Sequence, residues 1–483
     1  MMGSLKEKTI TGLTWSFTDN FFNIGMQFVI GIILARLLTP KEFGLIGMTT
    51  IFITLSQLFI DGCFSLSLIQ KQKCTQDDYS TVFYFNLIAG ILAYLLLFFL
   101  AEPISIFFNE PKLIYIIRVI GIGLIFNSFT IVQQAILTKR IDFKLQAKIS
   151  VISTGCSGIA AIYMAYLGFG VWSLVWKTIG AYCLITILSW SWIRWRPVWV
   201  FNYGIFKSHF KFSYKLLLSN LINVMYTNIY YIIIGKFFNA VELGYYTRAE
   251  QFSNLPSLNI TAVVHRVSYP VLSQLQNDEQ KLKYGYKKLI RSTMFISFIL
   301  MIGLAVMARP LILTLIGEKW KASIIYLQLL CFSAMLYPLH ALNLNILNVK
   351  GRSDLFLRLE IIKKLLVIPV ILVAVSFGVK AMLVSLIIIS IGAYFLNSYW
   401  SGKMVNYSMR EQILDITPSL FLAIFTGAIV FFFGWFVELK PLYLLIVQMF
   451  LFLIITIGFS ELFKLDAYLD IKEIILFRLL KLR

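Results

Sequence analysis

Stretches of about 20 apolar residues, each long enough to cross a bilayer as a helix, recur from one end of this chain to the other. Hydrophobic residues make up 59% of its 483 positions and charged residues only 14%, which excludes a water-soluble domain. The sequence therefore predicts an all-α, polytopic membrane protein with about 14 transmembrane helices. The predicted spans lie near residues 12–35, 43–66, 80–100, 113–137, 147–167, 170–193, 212–234, 244–265, 292–316, 323–347, 358–377, 381–400, 415–436 and 441–462.

A short pattern appears twice in the chain, 200 residues apart. Residues 36–44 read Arg-Leu-Leu-Thr-Pro-Lys-Glu-Phe-Gly, and residues 236–244 read Lys-Phe-Phe-Asn-Ala-Val-Glu-Leu-Gly. This repeat predicts two pseudo-symmetric six-helix halves, 1–200 and 201–400, then two additional helices in 401–464 and an amphipathic cytoplasmic tail in 465–483. Duplicated halves around a central site are typical of alternating-access transporters.

The positions of the basic residues predict the orientation. With the N-terminus inside, most lysines and arginines fall in inner segments, as in the run Lys139, Arg140, Lys144 and Lys148. Both termini are then cytoplasmic. The net charge of +20 reflects this topology, and because the basic residues are dispersed among membrane loops we expect no nucleic-acid partner.

Nothing in the sequence indicates catalysis. The connections between spans are too short for a catalytic domain, and the chain contains no phosphate loop, no HExxH and no nucleophile elbow. The five cysteines include no CxxC pair, so no metal site is expected. We therefore expect no enzymatic activity, no catalytic residues and no cofactor.

Polar residues inside the spans carry the remaining information. Asp19, Asn23 and Gln27 follow one another at intervals of four, so they share one face of the first helix. The seventh helix carries Asn220 and Asn223, which lie 200 residues after Asn20 and Asn23. Single amides often only cross-link helices. A stripe that contains an ionisable residue is more typical of a functional site, because a charge within the membrane is costly without water or a partner.

Among the further ionisable residues within the predicted spans, five are candidate site residues: Asp61, Arg118, Lys177, Arg248 and Glu250. Arg118 is close enough to the outer end of its helix to reach the interface by snorkelling. Lys177 is surrounded by apolar and aromatic residues, which predicts that it points inward. Fixed cations among amides and aromatic rings suit an anionic ligand rich in hydroxyl groups, a description that fits both lipid-linked saccharides and anionic metabolites.

Several motifs carry a resemblance to a known family. The segment 35–44, followed by Asp61-Gly62 and the Leu-Ile-Gln of residues 68–70, resembles the opening of the Wzx-type polysaccharide flippases. Residues 244–250, Leu255-Pro256 and 267–275 also resemble that family. These flippases, which export O-antigen and colanic-acid-like units, belong to the multidrug/oligosaccharidyl-lipid/polysaccharide exporter superfamily, together with MATE exporters and lipid II flippases.

The resemblance implies a flippase that moves undecaprenyl-diphosphate-linked oligosaccharide across the bacterial inner membrane for surface polysaccharide synthesis. Its partners would be that cargo, membrane lipids and polysaccharide assembly proteins. The expected roles are diphosphate binding by cations, sugar binding by amides, and coupling to H⁺ or Na⁺ by acids. The residues assigned to these roles are, in that order, Arg118, Lys177 and Arg248; Asn23, Gln27, Asn220 and Asn223; and Asp19, Asp61 and Glu250.

Three alternatives remain open from the sequence. A MATE-like ion-coupled exporter would share the fold, but would be expected to present acidic residues to cationic drugs, whereas most deep charges here are basic. A membrane glycan polymerase or ligase would need a sizeable outer loop for its catalytic groups. A scaffold that transports nothing would keep its polar residues only for packing.

Overall fold

The computed structural model describes residues 22–481 and the side chains of residues 22–473. All regular structure within that range is helical. The helices are α1 (Phe22–Leu37), α2 (Pro40–Asp61), α3 (Phe64–Gln70), α4 (Gln76–Phe108), α5 (Leu113–Ile120), α6 (Ile122–Ser128), α7 (Ile131–Arg140), α8 (Phe143–Tyr166), α9 (Val171–Trp192), α10 (Tyr203–Phe237), α11 (Ala240–Gln274), α12 (Glu279–Val306), α13 (Ala308–Leu315), α14 (Ser323–Ala334), α15 (Tyr337–Val349), α16 (Ser353–Val375), α17 (Val379–Val405), α18 (Met409–Phe436), α19 (Pro441–Leu462) and α20 (Asp466–Lys481).

The predicted all-α membrane architecture is confirmed, but the count of 14 spans is not. Ten helical segments between residues 22 and 481 are long and apolar enough to cross a membrane, or 11 if the bent pair Leu113–Ser128 and Ile131–Arg140 forms one span. The predicted spans at 244–265 and 358–377 correspond to α11 and α16, which do not qualify. Both carry charged residues among their apolar ones, including Arg248 and Glu250 in α11 and the pair Lys363-Lys364 in α16.

Local sequence signals explain where several helices begin. The Thr39 backbone N–H donates to Glu42 Oε2 at 2.6 Å, and Pro40 occupies the first turn of α2, where its missing N–H costs nothing. In α4 the Thr75 N–H donates to Asp78 Oδ2 at 2.7 Å, while the Asp78 N–H donates back to Thr75 Oγ1 at 3.3 Å. These capping boxes satisfy backbone donors that the helix itself leaves unpaired.

The chain folds as two compact units, Met1–Gly244 and Tyr245–Arg483. Within the first unit, the two copies of the repeated pattern lie against each other. A Cβ on Gly44 would overlap the backbone carbonyl of Ala240, and a Cβ on Gly244 would overlap that of Pro40. Because Pro40 and Gly44 correspond to Ala240 and Gly244 in the repeat, the approach is reciprocal. Each copy therefore has a glycine where the other copy's backbone passes, a close approach that any side chain would block.

The second unit has its own core. Residues of α11, α12, α15, α17 and α18 form a buried cluster, with Tyr286, Met294, Leu342 and Tyr407 among its fully buried members. Helix α20 packs against α12, and two ion pairs join the helices: Lys288 to Asp470 at 3.0 Å and Arg291 to Asp466 at 2.9 Å. The segment after α19 is thus held against the first half of α12 by ion pairs.

Candidate functional site

A connected group of polar side chains in the first unit joins α3, α4 and α10. We call it the inner cluster and define it as Ser67, Lys71, Asp78 and His209. Asp78 Oδ1 lies 2.6 Å from Lys71 Nζ and 3.2 Å from His209 Nε2. The other ring nitrogen, Nδ1, lies 2.6 Å from Ser67 Oγ. These four side chains therefore form one continuous hydrogen-bonded chain.

The tautomer of His209 follows from its partners. An ionised Asp78 carboxylate can only accept, so the Nε2–H donates to it. In a neutral ring Nδ1 is then an acceptor for the Ser67 hydroxyl. This is the bonding order of a serine-histidine-aspartate relay, but Ser67 is only 4% exposed and His209 only 3%. A side chain so enclosed has no room for a substrate, and the chain of bonds instead fastens α10 to α3 and α4.

A second lysine completes the surroundings of the inner cluster. Lys139 of α7 donates to the carbonyl of Leu68 at 2.9 Å and to that of Lys71, at the C-terminal end of α3. It also lies 2.8 Å from Cys74 Sγ. Carbonyls at a helix end carry partial negative charge and lack helical partners, so a cation is favourable there.

Asp61 and Asn220, two of the predicted site residues, lie close to one short segment. Gly62 and Cys63 both have left-handed backbone conformations, with φ of 54° and 59°, and this break separates α2 from α3. Asp61 accepts hydrogen bonds from the Ser65 backbone at 3.1 Å and the Ser65 hydroxyl at 2.9 Å. Asn220 on α10 donates to Cys63 Sγ at 3.5 Å. The structure thus brings both residues to the α2–α3 break.

The other predicted amides differ in exposure. Asn23 on α1 donates to Ser150 Oγ on α8 at 2.6 Å, which is the cross-linking use of an amide between helices. Gln27 and Asn223 have exposed side chains on α1 and α10. Asp19 lies outside the described residues.

The predicted cations are spread over separate helices. Arg118 on α5 lies over the ring of Phe98 on α4, with its guanidinium carbon 4.4 Å from the ring centroid, and its Nε donates to the Phe98 carbonyl at 3.4 Å. This combines a cation–π contact with a helix cross-link. Lys177 on α9 is half-buried. In the second unit, Arg248 is half-buried on α11, and Glu250 accepts a hydrogen bond from the Tyr246 hydroxyl at 3.0 Å.

Sequence reasoning missed the inner cluster. The signal that could have revealed Asp78 is the capping pattern Thr75-x-x-Asp78, which places a carboxylate inside the first turn of α4. Nothing local marks His209 as its partner, because 131 residues separate them. Within residues 22–481 the structure shows no group of three His, Cys, Asp or Glu side chains arranged to hold a metal ion.

The fold is shared with two classes of solved transporter. It superposes on the lipid II flippase MurJ in an inward closed conformation with a TM-score of 0.74 and 14% identity, covering 95% of this chain and all of that one. An inward-facing multidrug resistance MATE family transporter matches with a TM-score of 0.62 and 15% identity, over 81% of this chain and 96% of its own.

Relatives by sequence are proteins of surface polysaccharide synthesis. The lipopolysaccharide biosynthesis protein WzxC of Escherichia coli (strain K12) is 26% identical over 87% of this chain and 86% of its own. The teichuronic acid biosynthesis protein TuaB of Bacillus subtilis (strain 168) is 28% identical over 73% of this chain and 74% of its own. The succinoglycan biosynthesis transport protein ExoT of Rhizobium meliloti (strain 1021) is 25% identical, over 69% and 68%.

These comparisons confirm the resemblance to Wzx-type proteins of polysaccharide synthesis and transport. Residues 33–325 match the family described as "Polysaccharide biosynthesis protein". Since this match extends over more than half of the chain, the protein belongs to that family of polysaccharide biosynthesis proteins.

Proposed function

We propose that this multi-pass membrane protein is a flippase for polyprenyl-diphosphate-linked oligosaccharide units used in surface polysaccharide synthesis. The observation that carries the proposal is family membership over residues 33–325 joined to the fold of a lipid II flippase over 95% of the chain. Relatives named for polysaccharide transport and biosynthesis support the same cargo class. The membrane would be the bacterial inner membrane, with both termini cytoplasmic, and the protein would transport without catalysing a reaction.

The mechanism follows from the two parts of the cargo. A charged, hydroxyl-rich headgroup cannot cross about 30 Å of hydrocarbon unaided, whereas its polyprenyl chain is soluble there. The protein would bind the headgroup between helices, leave the chain in lipid, and alternate between inner and outer access. No cofactor is needed for this step, and the coupling ion would be H⁺ or Na⁺, bound by Asp19, Asp61 or Glu250.

The predicted binding residues take different parts in this proposal. Gln27 and Asn223 have exposed side chains and would contact sugars. Asn23 would reach the cargo only by exchanging its bond to Ser150, whereas Asn220 bonds to Cys63 Sγ but also has an exposed side chain. Arg118, Lys177 and Arg248 would bind diphosphate. If the double variant Lys177→Gln, Arg248→Gln exported normally while properly inserted, the diphosphate role of those two cations would be wrong.

Deletion of the gene in its own host tests the function. We expect surface polysaccharide to be lost while lipid-linked oligosaccharide accumulates on the inner leaflet, and the intact gene to restore both. Accumulation on the inner leaflet separates a flippase from a membrane polymerase or ligase, whose loss would leave lipid-linked glycan in the outer leaflet. Unchanged polysaccharide with altered drug sensitivity would instead indicate a MATE-like exporter.

A further inference from the structure

Helix α10 is longer than a membrane span requires. Its 35 residues correspond to about 52 Å of helix, against roughly 30 Å of hydrocarbon. If residues 221–237, the more apolar part, lie in the hydrocarbon, the N-terminal part begins well outside it. By the distribution of basic residues that end faces the cytoplasm. The first half of α10 is therefore available to a headgroup at the inner surface.

An exposed polar residue recurs at every fourth position along this helix. We call this series the α10 polar track; its members are Lys207, Lys211, Lys215, Ser219, Asn223 and Thr227, and all six side chains are exposed. Side chains four apart on a helix are neighbours about 6 Å apart, turned by about 40° from one to the next. The track therefore winds slowly around α10, with cations at the inner end followed by hydroxyl and amide groups.

The face of α10 that lies opposite Lys207 and Lys211 is fixed. His209 and Ser213, the buried residues in its first half, bond to Asp78 and to the Cys63 carbonyl, the latter at 3.1 Å. These contacts set the rotation of the helix and keep Lys207 and Lys211 turned away from α3 and α4, while the track winds by about 200° from Lys207 to Thr227. The inner cluster thus acts as the mount for the track.

The three lysines of the track carry uncompensated charge. In the part of the chain that the structure describes, Lys207, Lys211 and Lys215 form no ion pair. By contrast, Lys283, Lys287 and Lys288 of α12 each lie within 3.1 Å of an Asp or Glu oxygen. Three adjacent cations without acidic partners favour an anion with several charges, and two neighbouring ammonium groups can reach one diphosphate.

Aromatic rings border the lysines on the same helix. Phe206 stacks on Phe210 with 5.8 Å between centroids, and Phe210 stacks on Tyr214 with 6.2 Å. Phe210 and Tyr214 are also exposed. Such a ladder offers an apolar surface next to the cations, as a molecule with a charged diphosphate and an isoprenoid chain requires.

We propose that the α10 polar track captures the diphosphate of the lipid-linked cargo through Lys207, Lys211 and Lys215 and then guides the adjoining sugars along Ser219, Asn223 and Thr227. This rests on the proposed function for the nature of the cargo. The aromatic ladder takes the first isoprenoid units, and the cations attract the headgroup before translocation begins.

A binding experiment separates the cargo from ordinary anionic lipid. The full-length protein, in phosphatidylcholine nanodiscs, is titrated with undecaprenyl diphosphate or with phosphatidylglycerol. We expect the variant Lys207→Gln, Lys211→Gln, Lys215→Gln to bind undecaprenyl diphosphate about tenfold or more weakly, with phosphatidylglycerol binding unchanged. If binding of both lipids fell equally, the lysines would be a general contact for anionic lipid, and the proposal would be wrong. Unchanged binding of both lipids would also overturn it.

Two matched variants serve as controls for this experiment. Lys73→Gln, Lys148→Gln, Arg194→Gln removes three exposed cations from other inner segments, so it controls for net charge and topology and should bind undecaprenyl diphosphate within about twofold of the unchanged protein. Replacing the three track lysines by arginine keeps the charge and should also preserve binding. If the glutamine variant does not fold, Lys211→Gln alone must still weaken binding for the proposal to stand.

The second half of the track is tested in cells. Ser219→Ala, Asn223→Ala, Thr227→Ala should slow polysaccharide export severalfold while leaving the binding of undecaprenyl diphosphate, which has no sugars, unchanged. Unimpaired export would contradict the guiding role. Failure of the proposed function can be told apart from failure of this site. If gene deletion did not change lipid-linked intermediates but the lysine variant still bound undecaprenyl diphosphate more weakly, the proposed function would be wrong. The lipid-diphosphate site would nevertheless stand.

Discussion

The two units hold their helices together with ionic contacts that differ in exposure. In the first unit, Asp78 is fully buried and bonds to Lys71 and His209. In the second, Asp415 on α18 accepts from Arg291 at 3.0 Å and from Lys287 at 3.1 Å. Lys288 and Arg291 also bind acidic residues of α20 that are 22% and 69% exposed.

This difference in exposure decides what each set of contacts can do. A buried ionic group whose partner is removed carries an uncompensated charge, so breaking its contact is strongly destabilising. Exposed pairs contribute little each and are weakened by salt. The first arrangement suits a fixed mount for α10, and the second suits a tail that can detach.

Asp415 stands between these extremes because of Tyr407. The Tyr407 hydroxyl, in the connection between α17 and α18, donates to Asp415 Oδ2 at 2.6 Å. Burial, together with the neighbouring Asp415 carboxylate, raises the pKa of the Tyr407 phenol, so it stays a neutral donor. A buried phenol thus gives the second unit one well-shielded contact within an otherwise exposed ion-pair network.

The largest effect should come from Asp78→Ala. It leaves the buried His209 ring without its acceptor, removes the ionic partner of Lys71, which is 43% exposed, and breaks the capping box of α4. We expect it to cost about 2–4 kcal/mol of stability, or to prevent accumulation of folded protein. Thermal unfolding in detergent measures it. Asp77→Ala, at the preceding and less buried position, is the matched control and should change little. If the two variants were equally stable, the inner cluster would not be the firmer of the two arrangements.

His209→Ala tests whether the inner cluster mounts α10. It leaves Asp78 paired with Lys71 but removes the bonds from α10 to Asp78 and Ser67, at a cost of about 2 kcal/mol. Hydrogen exchange should rise in the first half of α10 much more than in α8 or α9. Uniform acceleration across the first unit would indicate general loosening and contradict a local mount.

The sequence predicted the parts of this comparison unequally. The repeat contains Gly44 and Gly244 at the same place in both copies, but the sequence did not predict that each glycine lies against the backbone of the other copy. Apolar length predicted the membrane fold, but the count of 14 spans is not confirmed, because α11 and α16 mix charge with apolar residues. The Asp78–His209 contact was beyond reach, since it depends on how α4 and α10 pack and not on local spacing.

Asp415→Asn should have a smaller effect than Asp78→Ala. The amide keeps the volume and can still bond to Tyr407, but it loses the charge that Arg291 and Lys287 share, so we expect a cost of about 1–2 kcal/mol. Its unfolding temperature should depend less on salt than that of the unchanged protein, because part of the screened interaction is gone. An equal salt dependence would place the salt-sensitive contact elsewhere.

The smallest effect separates the two units most cleanly. Lys288→Gln removes the pair with Asp470, whose partners are 32% and 22% exposed, and should cost no more than about 1 kcal/mol of global stability. The effect should be local: hydrogen exchange in residues 466–473 should rise at low salt, while α10 is unaffected. Raising salt in the unchanged protein should reproduce this pattern, because screening weakens exposed pairs first.

Lys281→Gln, which removes an exposed pair with Asp278 away from α20, is the matched control. Faster exchange in α10 under high salt would show that the buried and exposed contacts respond alike, and that exposure does not govern which helices are fixed.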